Sequence, residues 1–285
     1  MHSSSIRNLE RFFKVYLNKF DNPKVLDLGG AKKSKINGLD ILKKLNYKFE
    51  YTTVDIEPHS SVDVVLKDPY VFSELKESQF DIVISISCFE HIEFFWKTYI
   101  EILKVLKPNG IFYLNVPSNG IFHRWHKDCW RFYPDSASAL INWGKFNNFD
   151  NCLLESFTTK KFLEGGWNDY NAIILKEKKY FEKFKNRIID QINDFYNGIK
   201  NDDHKNLINS NHITEDQNNI GLIGLLNGIM NHNVIIRTEL INIPTNHPVQ
   251  PNPTNHGCSE DFLNNLGEFK VDEEFIKRQL QCSIC

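Results

Sequence analysis

The sequence lacks both glycine signatures by which a strand-to-helix turn cradles phosphates. After the apolar run "KVLDLGG" at 24–30 come Ala31 and Lys33 where later glycines would be needed, so neither G-x-x-x-x-G-K-[ST] nor G-x-G-x-x-G is complete. A seat for ATP or for a dinucleotide pyrophosphate is thereby disfavoured. An excess of charge of one sign is also missing: 34 Lys and Arg stand against 36 Asp and Glu, a net charge of −2. Without a basic excess, nucleic acid is not an expected partner. Long apolar runs are absent too. The longest weakly polar stretch, "IGLIGLLNGIM" at 220–230, is too short to span a bilayer. The opening 20 residues lack the unbroken apolar core of a signal peptide; Ile6, Leu9, Phe13, Tyr16 and Phe20 instead share one helical face. Cysteine is sparse, with six in the chain, at 88, 129, 152, 258, 282 and 285. The first three fall in or beside predicted core elements, where a thiol behaves as a small apolar group. The expected location is the cytoplasm, with thiols reduced. The terminal "CSIC" lacks the helix-start context of a redox motif and reads as an inert tail.

What is present is enough apolar residue, 41% of the chain, to bury a full core. Strands are predicted at 24–29, 49–56, 62–66, 80–87, 110–116, 152–157 and 170–176. Helical periodicity covers 36–45 and 93–106, and Asp135 is placed to cap a third helix through Ala139 and Trp143. Several strands are continuously apolar, which suits a parallel sheet covered on both faces. The expected fold is therefore α/β, with an amphipathic helix at 1–20 and a core at 21–177. A helical or irregular appendage comes next, at 178–285. Within it, "KEKKYFEKFKNRIIDQINDFYNGIK" reads as a charged amphipathic helix, 242–257 as a Pro/Asn-rich linker, and 271–281 as a last short helix.

In an open parallel sheet, ligands bind beyond the carboxyl ends of the strands. The glycine turn at 29–30 lies there, and the next helix is predicted to start late, after Asn37-Gly38. Asp55, in "YTTVDIEP", ends the next strand. A carboxylate so placed accepts both hydroxyls of a ribose. A ribose without a pyrophosphate points to S-adenosylmethionine; the alternative is an Asp that merely caps its loop.

Five segments, "VLDLGG…NG", "YTTVDIEPHSSVDVVLKDPY", "FDIVISISCFEHIEFFW", "LKPNGIFYLNVPS" and "HRWHKDCWRFYPD", succeed one another in register over roughly 20–175. Together they resemble bacterial class I S-adenosylmethionine-dependent methyltransferases, of a subgroup associated with surface-polysaccharide modification. The resemblance implies a Rossmann-like, mostly parallel sheet of seven strands whose last hairpin is antiparallel, with helices on both faces and a C-terminal appendage. It implies S-adenosylmethionine as cofactor, with Asp27, Gly29 and Gly30 near the methionine moiety and Asp55 on the ribose. Asp68 would meet the adenine amino group, unless it is a turn residue before Pro69, and Ser87 would face the methionine amine or the methyl group.

Glu90-His91 lies just past the fourth strand. His91 is a candidate base, its imidazole titrating near neutrality, or else a loop-bonding residue; Glu93 is placed to charge the next helix start. The loop "PSNGIFHRWHKDCWRFYPD" at 117–135 shares this rim and mixes cations with aromatics, a combination suited to a flat ring flanked by anionic groups. His123 and Asp128 join His91 as candidates for the chemistry. Arg124, Trp130, Arg131 and Tyr133 are candidates for acceptor binding, although Trp130 and Phe132 would equally serve as packing. His123, His126 and Asp128 do not have a strong zinc spacing, and no metal is expected.

The activity expected is O-methylation of a small-molecule, nucleotide-linked or glycan acceptor. The target is either a sugar hydroxyl, which needs a base, or an anionic oxygen such as a capsule phosphoramidate. A nicotinamide-dependent Rossmann oxidoreductase and a non-catalytic S-adenosylmethionine-binding interaction protein are the alternatives, and homo-oligomerisation is left open.

Overall fold

The computed structural model describes residues 2–31, 36–124, 126–161, 167–203 and 205–211, together with 222 and 224. The chain divides into compact units at 1–214 and 215–285. The linker at 242–257, the helix expected at 271–281 and the terminal C-x-x-C lie outside the described residues.

Among the described residues the strands form one sheet. They are β1 (Lys24–Leu28), β2 (Glu50–Asp55), β3 (Val64–Val65), β4 (Phe80–Ile86), β5 (Leu106–Pro117), β6 (Cys152–Thr159), β7 (Asp169–Leu175) and β8 (Phe195–Lys200). Their order is β3-β2-β1-β4-β5-β7-β6-β8. The first five in space are parallel, and β7, β6 and β8 pair antiparallel. The expected mostly parallel sheet with an antiparallel last hairpin thus forms, with eight strands rather than seven.

The continuous apolar runs have the predicted consequence, because successive side chains point to opposite faces. Val25, Ile82, Ile84, Ile111 and Tyr113 pack in the layer of α1 (Ser3–Tyr16) and α2 (Gly38–Lys44). Leu26, Val83, Phe112 and Leu114 pack in the layer of α3 (Phe95–Val105) and α4 (Ser136–Phe146). Each such side chain contributes about 1.5–3 kcal/mol on full burial. Helix α1 docks through Leu9, Phe12, Phe13 and Tyr16, with Phe12 stacked on Tyr113 at 4.4 Å between ring centroids.

Helix α2 does begin late. Asn37 accepts from the Asp40 N–H and the Asp40 carboxylate accepts from the Asn37 N–H, both at 3.1 Å, a reciprocal capping box. Two other helix starts differ from expectation. Asp135 makes no side-chain cap bond; Ser136 Oγ instead accepts from the Tyr133 N–H at 3.0 Å. Glu93 pairs with Lys127 at 2.5 Å, tying the segment before α3 to the loop after β5.

The amphipathic helix expected after 177 is the main correction. A short 3-10 helix at Lys178–Lys183 leads into an irregular strap and then β8, which pairs with β6. The apolar spacing there is satisfied without an α-helix: Phe184, Ile188 and Ile189 are buried against the sheet. Glu155 of β6 takes the backbone donors that a helix would have used. Its carboxylate accepts from the Ile188 N–H at 2.8 Å, the Ile189 N–H at 3.0 Å and the Tyr16 hydroxyl at 2.6 Å. Arg187, 1% exposed, donates to the Leu154 carbonyl at 2.8 Å and to Asn201 Oδ1 at 2.8 Å.

Candidate functional site

The carboxyl ends of β1, β2 and β4 open into one cavity of about 500 Å³. Its floor is the turn after β1. Gly29 has φ +77°, in the region that favours glycine, and donates its N–H to the Val54 carbonyl at 2.8 Å. A Cβ there would sit 2.5 Å from Cys88 Sγ, and one on Gly30 would sit 2.5 Å from Asp27 Cγ. Both glycines therefore keep the backbone thin between two carboxylates.

The first carboxylate, Asp27, is 5% exposed and accepts from the Tyr51 hydroxyl at 2.5 Å. Burial pushes its pKa up to about 6; the Tyr51 bond opposes that and Asp55 adds to it. The unfolded carboxyl ionises near 4, so between about pH 4 and 6 the folded state binds more protons and stability falls as pH rises. Asp27→Asn removes this slope while keeping an acceptor for Tyr51. Urea unfolding of the two proteins should show the variant gaining about 3 kcal/mol relative to wild type between pH 4 and 7. A constant difference across that range would show that Asp27 is not held protonated by its site.

The second carboxylate, Asp55, is half-buried at the end of β2. Oδ1 accepts from the Glu57 N–H at 3.1 Å and Oδ2 from the Ala31 N–H at 3.4 Å. A carboxylate has about four lone-pair sites, so each oxygen keeps one for a ligand hydroxyl.

Ser87 comes directly after β4 with φ +48° and donates its N–H to the Asn115 carbonyl at 2.9 Å. A single 3-10 turn, Phe89–His91, then places Glu90 inward and His91 on the cavity wall. His91 Nδ1 bonds the Lys127 carbonyl, and its Nε2 stands 3.7 Å from Glu90 Oε1. Burial lowers the His91 pKa, which keeps the ring neutral at pH 7. Glu90 is 1% exposed, and burial lifts its carboxyl to about 8, opposed by a bond to its own backbone N–H and by the Arg131 charge. His123, across the cavity wall, meets the His91 ring edge-on at 5.2 Å.

Of the residues expected from sequence, Asp27, Gly29, Gly30, Asp55, Ser87, His91 and His123 line this cavity. Asp68, Arg124, Asp128, Trp130, Arg131 and Tyr133 are not among its lining residues. Asp68 Oδ1 accepts from the Tyr70 N–H at 2.7 Å, and this turn carries Pro69 and Tyr70 to the wall. Asp128 and Arg131 meet in a bidentate pair at 2.6 and 2.9 Å, which holds the Asp128 carboxyl down at about 2. Asp128 also accepts from the His123 N–H at 2.8 Å, and Arg131 donates to the Ile121 carbonyl at 2.9 Å. The pair thus shapes the loop around His123.

Trp130 donates its indole N–H to the Ile92 carbonyl at 3.0 Å and packs edge-on against Phe95 and Trp96. Phe132 is buried in the core, while Arg124 and Tyr133 are exposed. His126 turns away from His123 to Glu57, at 2.5 Å, so the H-x-x-H-x-D residues do not form one cluster. Trp125 lies outside the described residues.

Sequence reasoning missed Asn37, Ile56, Tyr70 and Cys88 as wall residues. Ile56 had a signal, a large apolar residue directly after Asp55, and it is 52% exposed toward solvent and cavity. Glu90 had none: its burial comes from the tertiary position of a turn whose own carbonyl accepts from the Cys129 and Trp130 N–H groups at 2.8 and 3.2 Å.

Residues 26–114 match the family described as "Methyltransferase domain". The match covers under a third of the chain, and the cofactor it implies is S-adenosylmethionine. Among curated protein sequences none matches the chain. Solved structures similar to it include a Burkholderia thailandensis 1,6-didemethyltoxoflavin-N1-methyltransferase with bound 1,6-didemethyltoxoflavin and S-adenosylhomocysteine, at 16% identity and TM-score 0.46 over 61% of this chain and 79% of that one. The CMeT domain of the citrinin polyketide synthase is 14% identical, TM-score 0.45, over 61% of this chain; the chain spans about half, 52%, of that one. The PH0226 protein of Pyrococcus horikoshii OT3 is 19% identical, TM-score 0.40, over 61% and 90%. No helix among the described residues is long and apolar enough to cross a membrane.

Proposed function

We propose that the chain, whose residues 26–114 match a methyltransferase-domain family, transfers a methyl group from S-adenosylmethionine to an oxygen of a small-molecule, nucleotide-linked or glycan acceptor. The observation that carries this reading is the convergence of a lone-pair-bearing Asp55, a side-chain-free glycine turn and two rim histidines on one cavity. The residues fit the cofactor. Asp55 has one acceptor site per oxygen for the ribose hydroxyls, and Asp27 with Gly29 and Gly30 offers a negative, unobstructed seat for the methionine end. When bound, the cofactor supplies a methyl group on a sulfonium, already a good leaving group. The protein's part is alignment of the acceptor and activation of its oxygen. His91 and His123 stand on the wall where that oxygen would lie, and the Asp128–Arg131 pair holds the loop that carries His123.

A glycan-precursor acceptor, as in bacterial surface-polysaccharide synthesis in the cytoplasm, is supported by the resemblance of the five motifs and by the cation- and aromatic-rich loop at 117–135. The test is transfer of isotopically labelled methyl to nucleotide-linked sugars and to phosphoramidates. For a hydroxyl acceptor, His91→Ala should lower kcat by roughly 10²–10⁴-fold, because the group activating the oxygen is gone. An anionic acceptor should keep most of its rate in that variant. Hydride transfer with NAD(P)H would replace this reading by the oxidoreductase one. S-adenosylhomocysteine binding without methyl transfer to any such acceptor would leave a non-catalytic binding protein.

A further inference from the structure

We propose that Glu90, His91 and His123 form a site for one divalent transition-metal ion of the zinc type, and that its open position faces the cavity. The inference rests on the methyl-transfer reading only for the ion's purpose; the site itself stands on side-chain geometry. One ligand atom from each of the three residues lies within 4.8 Å of the others, and two imidazoles with one carboxylate are a donor set that such ions take. Ligand atoms on one tetrahedral ion stand about 3.3 Å apart, given metal–ligand distances near 2.0–2.1 Å, so side-chain rotations bring these three into range.

Three further observations point the same way. Glu90 is 1% exposed, yet its Oε2 has no hydrogen-bond partner among the described residues. A buried carboxylate oxygen left so is costly, and a cation beside it removes the deficit. His91 has its Nδ1 on the Lys127 carbonyl, which leaves Nε2 as the lone-pair nitrogen on the Glu90 side. His123 has its Nδ1 3.3 Å from the Ile121 carbonyl and 3.4 Å from Asp128 Oδ2, so its Nε2 is likewise the lone-pair nitrogen. A second ring nitrogen held by a carbonyl or a carboxylate is the arrangement that orients metal-binding histidines. The bidentate Arg131 keeps Asp128 in that position.

Both histidines line the cavity, whereas Glu90 lies behind them. A hydroxyl set at the ion's open position would lose its proton to water near neutral pH. The oxygen–methyl bond then forms as the sulfur–methyl bond breaks, the electron pair staying on sulfur. The products are a methyl ether, S-adenosylhomocysteine and one proton.

Calorimetric titration of the chelator-treated full chain with Zn²⁺, Co²⁺ and Mg²⁺ tests this. One Zn²⁺ or Co²⁺ per chain is expected, with a visible Co²⁺ spectrum of nitrogen and oxygen ligation, and no comparable Mg²⁺ binding. His91→Ala and His123→Ala should each weaken Zn²⁺ binding by more than the roughly 10–100-fold typical for loss of a supporting group, and Asp128→Asn by about that amount. Titrating each variant with S-adenosylhomocysteine reports whether the fold and the cofactor seat survive. No stoichiometric Zn²⁺ binding, or binding unchanged in both histidine variants, overturns the metal site. Zn²⁺ binding with no S-adenosylhomocysteine binding upholds the site and instead sinks the methyl-transfer reading.

Discussion

Asp55→Ala should weaken binding of S-adenosylhomocysteine by roughly 10²–10⁴-fold in a calorimetric titration. Two hydrogen bonds from ribose hydroxyls to a carboxylate are worth about 1.5–3 kcal/mol each, and every 1.4 kcal/mol is a factor of ten. Asp55 has a second task, since it also accepts the backbone N–H groups of Ala31 and Glu57. Its loss would therefore loosen the glycine turn as well as remove the proposed ribose acceptor. Asp55→Asn separates the two effects. The amide keeps one oxygen acceptor and replaces the other with a donor, so it should fall between wild type and Ala. Equal binding by wild type and the Ala variant would mean that the cofactor sits elsewhere.

Arg187→Ala should lower folding stability by about 3–5 kcal/mol in urea unfolding, the usual penalty for removing one member of a buried charged cluster. Four groups would lose their donor at once: the Leu154, Phe184 and Asn186 carbonyls and Asn201 Oδ1. The buried Glu155 would also lose the nearby positive charge that favours its ionised form. At roughly 2–4 °C per kcal/mol for a unit of this size, Tm should drop by about 6–20 °C. The strap and β8 lie on the far edge of the sheet, away from the β1–β4 end that holds the cavity. Below its Tm the variant should thus retain cofactor affinity. An unchanged Tm would mean that the strap does not contribute to the cooperative core.

The length and spacing of the apolar runs sufficed to locate β1, β2, β4, β5, β6 and β7, and to require helices on both faces. Burial on both sides leaves a pattern in neighbouring residues that no partner has to supply. The late start of α2 was legible for the same kind of reason, because Asn37, Gly38 and Asp40 make a cap among themselves. The places of Asp55 and the glycine turn on the cavity wall were legible as well, because each stands where its own strand ends.

The segment beyond residue 177 was not legible. Phe184, Ile188 and Ile189 have helix-like spacing, but Glu155, more than thirty residues earlier, takes the Ile188 and Ile189 N–H groups and holds the segment as a strap. The same holds at the rim. The loop residues Asp128 and Arg131 were visible as charges, yet only the folded loop turns them toward each other. Glu90 was visible as one letter beside His91, and only the packing of its turn makes it a buried carboxylate facing two imidazoles. Local hydrogen bonds and apolar periodicity are written in adjacent residues; the partners of a buried charge come from distant strands, and the tertiary structure alone chooses them.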